Sequence, residues 1–305
     1  MKQSDLSALQ VAFGSQVKEN VPLAGYTSAR VGGPADVLLT VRSAGELSRA
    51  ARLIWDMDYK FQLIGGGSNV LISDKGIRGL TVLNRARHVK FELNADSPCV
   101  YAESGASLNE ISQRSASHSL TGLEWAASVP GTLGGALYGN AGAFGGEMSG
   151  NVLSLEVLDR VEGVQTWTAE RMEYGYRTSA LKRNRLEVII LSSILKLSYG
   201  EPEAIREKMV ANSDRRHKTQ PPGASMGSMF KNPPGEKAGH LIEAAGLKGI
   251  RIGNAEISSV HANFFLNTSE TFANDMKALL ELAQETVFQK FGIMLEPEIE
   301  IIGEW

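Results

Sequence analysis

The sequence predicts a protein of the α+β class, in which helices and strands follow one another in irregular order. Three observations support this prediction. Two amphipathic helices begin at capping boxes, short alternating or β-branched runs predict strands, and the two kinds of element do not alternate as they would in a doubly wound sheet. The chain of 305 residues, 43% hydrophobic and 21% charged, is long enough for more than one folded domain.

The two capping boxes set the starts of the first predicted helices. Ser43 and Glu46 precede apolar residues that recur on one face, which predicts a helix over residues 44–57. Ser107 and Glu110 mark the start of a second helix in the same way.

The rest of the chain is assigned from its pattern of apolar and turn residues. Strands are predicted at residues 61–64, 80–83, 99–102, 151–168, 187–198 and 250–266, and further helices at 202–217, 236–245 and 271–291. Gly292 is the expected stop of the last helix, whose apolar face is predicted to contain Phe272, Met276, Leu279, Leu280, Ala283, Val287, Phe288 and Phe291. Residues 219–235, with four prolines and three glycines, read as a loop. Domain boundaries are placed near residues 85 and 200.

Charge and composition exclude several classes of protein. A formal charge of −3 gives no electrostatic footprint for binding nucleic acid or an anionic membrane. The one cysteine, Cys99, cannot form an internal disulfide, which is typical of a reducing compartment. No apolar run reaches the length of a membrane span, and the first residues do not resemble a signal peptide.

Glycine is concentrated in two segments, residues 65–69 after a predicted strand and residues 129–146. Consecutive backbone N–H groups in such segments can converge on a phosphate, and two of them suit the diphosphate of a dinucleotide. The alternative is a pair of tight turns. Neither segment matches G-x-G-x-x-G, and no Walker A lysine follows, so Rossmann and P-loop folds are disfavoured.

Two other chemistries are considered and set aside. Ser225 lies in a G-x-S-x-G match at residues 223–227, but the proline-flanked loop lacks the strand and helix that a nucleophile elbow needs. The five histidines have no metal-ligand spacing, so no metal is expected.

Three residues outside the glycine segments suggest a reactive site. Ser228 stands close to Lys231 and Asn232, where a hydroxyl and a cation can face an anionic ligand. Arg177 at a strand–loop junction can clamp a carboxylate, and Glu298 is flanked by apolar residues that favour the protonated form. Each also has an ordinary interpretation: an incidental loop serine, a surface arginine, and a carboxylate that alternates outward along a strand.

Several motifs in a fixed order carry a resemblance to a known family. They are YTSARVGGP at 26–34, IGGGSNVL at 64–71, VPGTLGG at 129–135, GNAGA at 139–143, YRTS at 176–179, GSMFKNP at 227–233 and LEPE at 295–298. Together they resemble the UDP-N-acetylenolpyruvoylglucosamine reductases (MurB, UDP-N-acetylmuramate dehydrogenases) of bacterial cell-wall synthesis, over about residues 20–303. The resemblance implies a pair of FAD-binding subdomains of the PCMH/vanillyl-alcohol-oxidase type at residues 1–85 and 86–200. A C-terminal α+β substrate-binding domain would occupy residues 201–305.

The resemblance also implies an activity, the NADPH-dependent reduction of UDP-N-acetylglucosamine enolpyruvate through FAD. Arg177 and Glu298 match the family's residues that stabilise the enolate-like intermediate, and Ser228 matches its proton donor. The cofactor-binding positions would be Gly65, Gly66, Gly67, Ser68, Asn69, Ser128, Val129, Pro130, Gly131, Thr132, Gly139, Asn140, Gly142 and Ala143, and the substrate-binding positions Lys218, Lys231 and Asn232. FAD would be bound non-covalently, because these stretches contain no histidine or cysteine.

The chain departs from the family pattern at two places, and at a third the spacing between two motif residues is longer. Glu300 stands where the family often has arginine, and no room remains after Arg177 for the loop insertion of the longer subclass, so the chain resembles the short type II form. The spacing from Lys218 to the next proline is one residue longer than in the family. The remaining alternatives are an oxidase with the same fold and a flavin- or nucleotide-sugar-binding protein without catalysis. We expect a cytoplasmic monomer that serves peptidoglycan synthesis, and through it cell shape and division.

Overall fold

The computed structural model describes residues 2–93 and 97–305 and contains both helices and strands throughout the chain. The α-helices are α1 (Gln3–Phe13), α2 (Ala44–Asp56), α3 (Leu108–Ser117), α4 (Leu133–Gly139), α5 (Ala180–Asn184), α6 (Pro202–Thr219), α7 (Ala238–Ala244) and α8 (Ala273–Phe291). None of the described helices combines the length and the apolar character that crossing a membrane requires.

The strands are mostly short. They are β1 (Val17–Pro22), β2 (Pro34–Val41), β3 (Phe61–Ile64), β4 (Val70–Ile72), β5 (Ile77–Asn84), β6 (Val89–Glu92), β7 (Cys99–Glu103), β8 (Leu120–Thr121), β9 (Gly142–Ala143), β10 (Gly146–Glu147), β11 (Val152–Asp159), β12 (Gly163–Thr168), β13 (Val188–Lys196), β14 (Ser198–Tyr199), β15 (Ala224–Ser228), β16 (Arg251–Ile252), β17 (Ala255–Ile257), β18 (Phe264–Asn267) and β19 (Glu300–Ile302). One four-stranded sheet has the order β1-β2-β5-β3.

The chain forms two compact units. The first contains the chain up to Val17, Leu39–Gly66 and Val82–Arg215, and the second contains Lys18–Leu38, Gly67–Thr81 and Arg216–Trp305. This division is not the three-domain division predicted from the sequence, and it does not test the boundaries near 85 and 200, which stay predictions.

The first unit is built on a five-stranded antiparallel sheet of order β12-β11-β13-β7-β6. Its inward side chains, such as Leu155, Trp167 and Leu195, are buried together with apolar residues of α3 and α4. The buried carboxylate of Glu103 at the end of β7 accepts the N–H of Ala44, the first residue of α2, at 2.8 Å. The sheet therefore fixes the position of a helix N-terminus.

The second unit packs α7 and α8 against an antiparallel sheet of order β15-β18-β17-β16. Phe230 and Phe265 meet edge to face in its core, with ring centroids 6.2 Å apart. Strand β19 pairs in parallel with β4, so the last strand of the chain lies beside the segment that follows the first glycine-rich loop.

The N-cap half of each predicted capping box is present. The Oγ of Ser43 accepts the N–H of Glu46 at 3.1 Å, and the Oγ of Ser107 accepts the N–H of Glu110 at 3.3 Å. The carboxylate of Glu46 accepts the N–H of Arg42, one residue before the position of a standard capping box. Gly292 ends α8 in the left-handed region with φ 70°, as predicted.

The structure differs from the sequence prediction in several segments. Residues 219–235 are not all loop, because β15 forms there and pairs with β18, with a register shift between Ser225 and Ser228. Helix α4 lies within residues 129–146, which the sequence analysis described as glycine-rich without predicting a helix. Its glycines disfavour a helix in isolation, but the neighbouring loop accepts its first N–H groups. The three phenylalanines predicted on the apolar face of α8 are not part of it. Phe272 precedes the helix and is 64% exposed, and Phe288 and Phe291 are 49% and 41% exposed, so the apolar face ends before the last turn.

Candidate functional site

The two glycine-rich segments come together in the first unit. A Cβ atom added at Gly65 would lie 2.3 Å from the Oγ1 of Thr132, and one added at Gly66 would lie 2.8 Å from the Cα of Gly131. Side chains larger than hydrogen do not fit at these distances, so glycine is what allows the two backbones to touch.

This contact leaves main-chain donors at the surface of both segments. In residues 2–93 and 97–305, the main-chain hydrogen bonds of the loops do not use the N–H of Gly66 or of Gly131 as donors. Both residues are half-buried. Two N–H groups on touching segments suit an anion with several oxygens, and the residues present therefore fit the diphosphate of a dinucleotide.

Arg85 holds the first of these segments, and the sequence analysis did not identify it. Its Nη1 donates to the carbonyl oxygen of Gly65 at 2.7 Å, while its own N–H donates to the carbonyl of Val41 at 2.8 Å. Because the carbonyl of one residue and the N–H of the next point in opposite directions across a trans peptide, fixing the Gly65 carbonyl also orients the N–H of Gly66. The only signal in the sequence is an arginine two residues after the predicted strand at 80–83.

The second segment is fixed through the start of α4. The N–H groups of Leu133 and Gly134, in the first turn, donate to the carbonyls of Ala106 and Ser104 at 2.9 and 2.8 Å. A Cβ at Gly134 would lie 2.9 Å from the Cβ of Ser104. Since the first turn donates within the chain, the diphosphate is expected at the loop that precedes α4 and not at its N-terminus.

Of the predicted residues after the second loop, Gly139 is the last residue of α4, Asn140 caps that helix, and Gly142 and Ala143 form β9, the first strand of the hairpin with β10. Arg177 contacts this hairpin: its Nη2 donates to the carbonyl of Gly142 at 2.6 Å. Arg177 has φ 55°, an uncommon left-handed conformation for a residue with a long side chain. The structure thus brings the predicted carboxylate clamp to the C-terminal part of the second glycine segment.

The second unit contains the end of the first glycine segment. Gly67 has φ +64°, and a Cβ there would lie 2.0 Å from the carbonyl oxygen of Tyr26. The Nδ2 of Asn69 donates to the carbonyl of Glu298 at 3.1 Å, and its carbonyl accepts the N–H of Glu300 at 2.9 Å. Asn69 therefore ties a predicted cofactor segment to the strand that follows Glu298.

Ser228 and Glu298 lie on neighbouring segments of this unit. Residues 229–231 run antiparallel to residues 296–298: the N–H of Glu298 donates to the carbonyl of Met229 at 2.8 Å, and Phe230 pairs with Pro297. Ser228 is at the end of β15 and half-buried, as is Glu298. The hydroxyl-bearing and carboxylate-bearing residues predicted from separate motifs are thus neighbours in the fold.

The three predicted substrate-binding residues differ in their contacts and in their exposure. The Nζ of Lys231 forms a salt bridge with Glu296 at 2.5 Å. The Oδ1 of Asn232 accepts the N–H of Ala238, the first residue of α7, at 3.0 Å. Lys218 is exposed near the end of α6. Of the other cofactor positions, Ser68, Ser128 and Val129 are half-buried and Pro130 is exposed. Their binding roles stay predictions, as do the catalytic roles of Arg177, Ser228 and Glu298.

A buried carboxylate precedes the second glycine segment. Burial raises the pKa of Glu124, but hydrogen bonds from the Thr121 hydroxyl and the Gly122 N–H, the latter at 2.8 Å, outweigh it and lower the pKa below its ordinary value. The side chain of Lys208 lies 3.8 Å away. Glu124 is therefore a charged anchor for the turn before Trp125.

The structure also bears on the chemistries set aside. Ser225 lies within β15 opposite Leu266 and not at a turn from a strand into a helix, so the G-x-S-x-G match has no nucleophile-elbow geometry. Within residues 2–93 and 97–305, no group of three or more His, Cys, Asp or Glu side chains is arranged to hold a metal ion.

Comparison with known proteins identifies the family. A family model described as an FAD binding domain matches residues 35–169, and one described as the UDP-N-acetylenolpyruvoylglucosamine reductase C-terminal domain matches residues 218–302. A UDP-N-acetylenolpyruvoylglucosamine reductase of Caldanaerobacter subterraneus is 42% identical over 93% of both chains, and one of Lactococcus lactis is 40% identical over 100% of this chain and 99% of its own.

A solved structure supports the same assignment. The crystal structure of UDP-N-acetylenolpyruvylglucosamine reductase (MurB) from Thermus caldophilus matches with a TM-score of 0.79 and 33% identity, over 93% of this chain and 98% of that one. The predicted fold class, an α+β protein with a PCMH-type FAD-binding domain and a distinct C-terminal domain, is confirmed by these matches. The chain therefore belongs to the UDP-N-acetylenolpyruvoylglucosamine reductase family of oxidoreductases.

Proposed function

We propose that this protein reduces UDP-N-acetylglucosamine enolpyruvate to UDP-N-acetylmuramate, with non-covalent FAD as cofactor and NADPH as reductant. The observation that carries the proposal is the antiparallel pairing of residues 229–231 with 296–298, which makes Ser228 and Glu298 neighbours. A hydroxyl-bearing and a carboxyl-bearing residue on paired segments suit a reaction that delivers a proton to one carbon while charge develops on an adjacent carboxylate.

The glycine segments of the first unit would bind the cofactor. The N–H groups of Gly66 and Gly131 would donate to its diphosphate, and the guanidinium of Arg85 would keep the first segment in the orientation that this requires. When bound, FAD supplies the hydride that NADPH delivers and that the enolpyruvyl double bond accepts.

The remaining chemistry belongs to side chains of this protein. Hydride addition to the terminal carbon of the enolpyruvyl group leaves an electron pair delocalised into the carboxylate. Arg177 and Glu298 would stabilise that charge, and the Oγ of Ser228 would donate its proton to the adjacent carbon, which completes the reduction of the double bond. A serine hydroxyl is a weak acid in water, so we infer that nearby cations such as Lys231 assist it.

The product is a precursor of peptidoglycan, and we propose that the enzyme acts in the cytoplasm as a monomer. Through cell-wall synthesis it would affect cell shape and division.

An anaerobic titration tests this proposal. The visible spectrum of the purified protein is recorded, NADPH is added, and UDP-N-acetylglucosamine enolpyruvate follows. We expect NADPH to bleach a flavin band and the substrate to restore it. A protein that bleaches but does not recover would exclude the substrate, and one that cannot be reconstituted with FAD would exclude the function altogether. A protein that bleaches and is reoxidised only by oxygen would point to an oxidase.

A further inference from the structure

Asn140 terminates α4 in an unusual way. It has φ 46° and ψ 56°, the left-handed region, and it is completely buried. Among residues other than glycine, asparagine adopts this conformation at low cost because its short side chain can bond to nearby backbone. Asn140 adopts the left-handed conformation at a position where its side chain has no access to solvent.

Both ends of the Asn140 side chain are used within the first unit. The Nδ2 donates to the carbonyl of Gly175 at 3.0 Å, and the Oδ1 accepts the N–H of Ser149 at 3.0 Å. A carbonyl can only accept and an N–H can only donate, so the partners fix the orientation of the amide. The side chain is therefore a bridge between two segments.

One of those segments is the turn that contains Arg177. The N–H groups of Gly175 and Thr178 each donate to the carbonyl of the other residue, at 3.1 and 3.2 Å, and the Oγ of Ser179 donates to the carbonyl of Tyr138 at 2.7 Å. Arg177, with φ 55°, lies inside the turn. Such a conformation is strained for a residue other than glycine and persists only where the surroundings impose it.

The guanidinium of Arg177 contacts the segment that contains Asn140. Its Nη2 donates to the carbonyl of Gly142, two residues after Asn140, at 2.6 Å. Asn140, Gly175, Arg177 and Gly142 thus form a closed chain of contacts. Asn140 fixes the backbone of the turn, and Gly142 fixes the head of the side chain.

We propose that Asn140 is a positioning residue for Arg177: its buried amide holds the 175–178 turn in the strained conformation that directs the guanidinium. The sequence analysis expected Asn140 to bind the cofactor, whereas this proposal assigns its side chain to the support of the Arg177 turn. The proposal rests on the proposed function, because it needs Arg177 to act on the substrate carboxylate. Displacements of about 1 Å at such a group cost roughly 100-fold in rate.

The test is a double-variant cycle on the two half-reactions, measured by anaerobic stopped flow. Asn140→Gly keeps the left-handed backbone accessible and deletes both side-chain bonds. We expect it to slow reoxidation of the flavin by the enolpyruvyl substrate about 10- to 100-fold, a larger factor than its effect on flavin reduction by NADPH. In an Arg177→Ala background, Asn140→Gly is expected to cause no further loss.

Asn151→Gly is the matched control. Asn151 is also buried in the first unit, and its amide bridges the Trp125 indole and the Gly122 carbonyl at 3.2 and 3.1 Å, neither of which belongs to the Arg177 turn. The effect of Asn151→Gly on flavin reoxidation should be the same whether residue 177 is arginine or alanine. Asn140→Asp, which keeps the acceptor for Ser149 and removes the donor to Gly175, serves if the glycine variant does not fold.

Hydrogen exchange of the cofactor-free protein gives a readout independent of turnover. Asn140→Gly should lower protection in residues 174–179, whereas Asn151→Gly should not. Equal losses from Asn140→Gly with and without Arg177, or unchanged protection of the turn, would overturn the proposal. If Arg177→Ala alone leaves reoxidation unchanged, the role of Arg177 in the proposed function fails, and the catalytic role of Asn140 fails with it.

Discussion

The contact between Gly65 and Thr132 predicts a specific pair of variants. In Gly65→Ala the new methyl carbon would start 2.3 Å from the Oγ1 of Thr132, whereas ordinary contact begins at 3.4 Å. One side must therefore move by about 1 Å. Thr132 is stiff about χ1 because it is β-branched, and one of its two other rotamers places the Cγ2 in the same space.

The expected magnitude is that of overpacking in a well-packed site, about 1–3 kcal/mol. At roughly 2–4 °C per kcal/mol, the melting temperature of the cofactor-free protein should fall by about 2–12 °C. The same displacement moves the neighbouring Gly66 N–H, so the Kd for FAD should rise at least about tenfold, which corresponds to about 1.4 kcal/mol. Thermal unfolding and fluorescence titration with FAD measure the two quantities.

Thr132→Ala provides the rescue. It removes both the Oγ1 and the Cγ2 and leaves the Cβ 3.4 Å from the new methyl group, an ordinary contact. The double variant should therefore recover most of the stability lost by Gly65→Ala. Gly150→Ala, whose added Cβ meets no atom within 4 Å, should change stability by less than about 0.5 kcal/mol. If Gly65→Ala is as stable as the parent, or if Thr132→Ala adds to its loss, the steric reasoning is refuted.

Three further predictions follow from the site. Ser228→Ala should leave flavin reduction by NADPH intact and abolish most of the reduction of the enolpyruvyl substrate; stopped-flow traces in which both half-reactions fall would contradict its role as proton donor. Arg85→Gln loses a charged hydrogen bond to Gly65 worth about 1.5–3 kcal/mol, so the Kd for FAD should rise at least tenfold, while the exposed control Arg87→Gln should bind FAD normally. Glu124 has a lowered pKa in the folded protein, so its stabilising effect is complete above pH 4.5 and is lost as the pH falls through the folded value. Urea titrations from pH 7 to 3 should thus show the stability gap between parent and Glu124→Gln closing with acidity, and a gap independent of pH would contradict the shift.

The elements that the sequence predicted well carry their signal locally. Ser43 with Glu46, Ser107 with Glu110, and Gly292 at the end of α8 each specify a helix terminus through atoms within a few residues. Capping depends on side chains that bond to the adjacent backbone, so it can be read without knowing the fold.

Two of the elements that were missed depend on partners far along the chain. Strand β15 contains glycine and serine and is flanked by prolines, and it exists because β18 supplies the facing hydrogen bonds. Helix α4 contains two adjacent glycines after its first residue, and its start is fixed by the carbonyls of Ser104 and Ala106. In both cases tertiary contacts outweigh weak intrinsic propensity.

The candidate site shows the same division. The sequence by itself determined which residue types the site contains: the glycine segments, Arg177, Ser228 and Glu298. The order of their motifs along the chain carried the resemblance to the reductase family. Only the tertiary structure decided that Gly66 touches Gly131, that Arg85 holds the Gly65 carbonyl, and that Asn140 supports the Arg177 turn. The physical reason is distance along the chain: a motif records what lies within a few residues, whereas these contacts join residues 20 to 65 positions apart, and chain folding alone decides which of them meet.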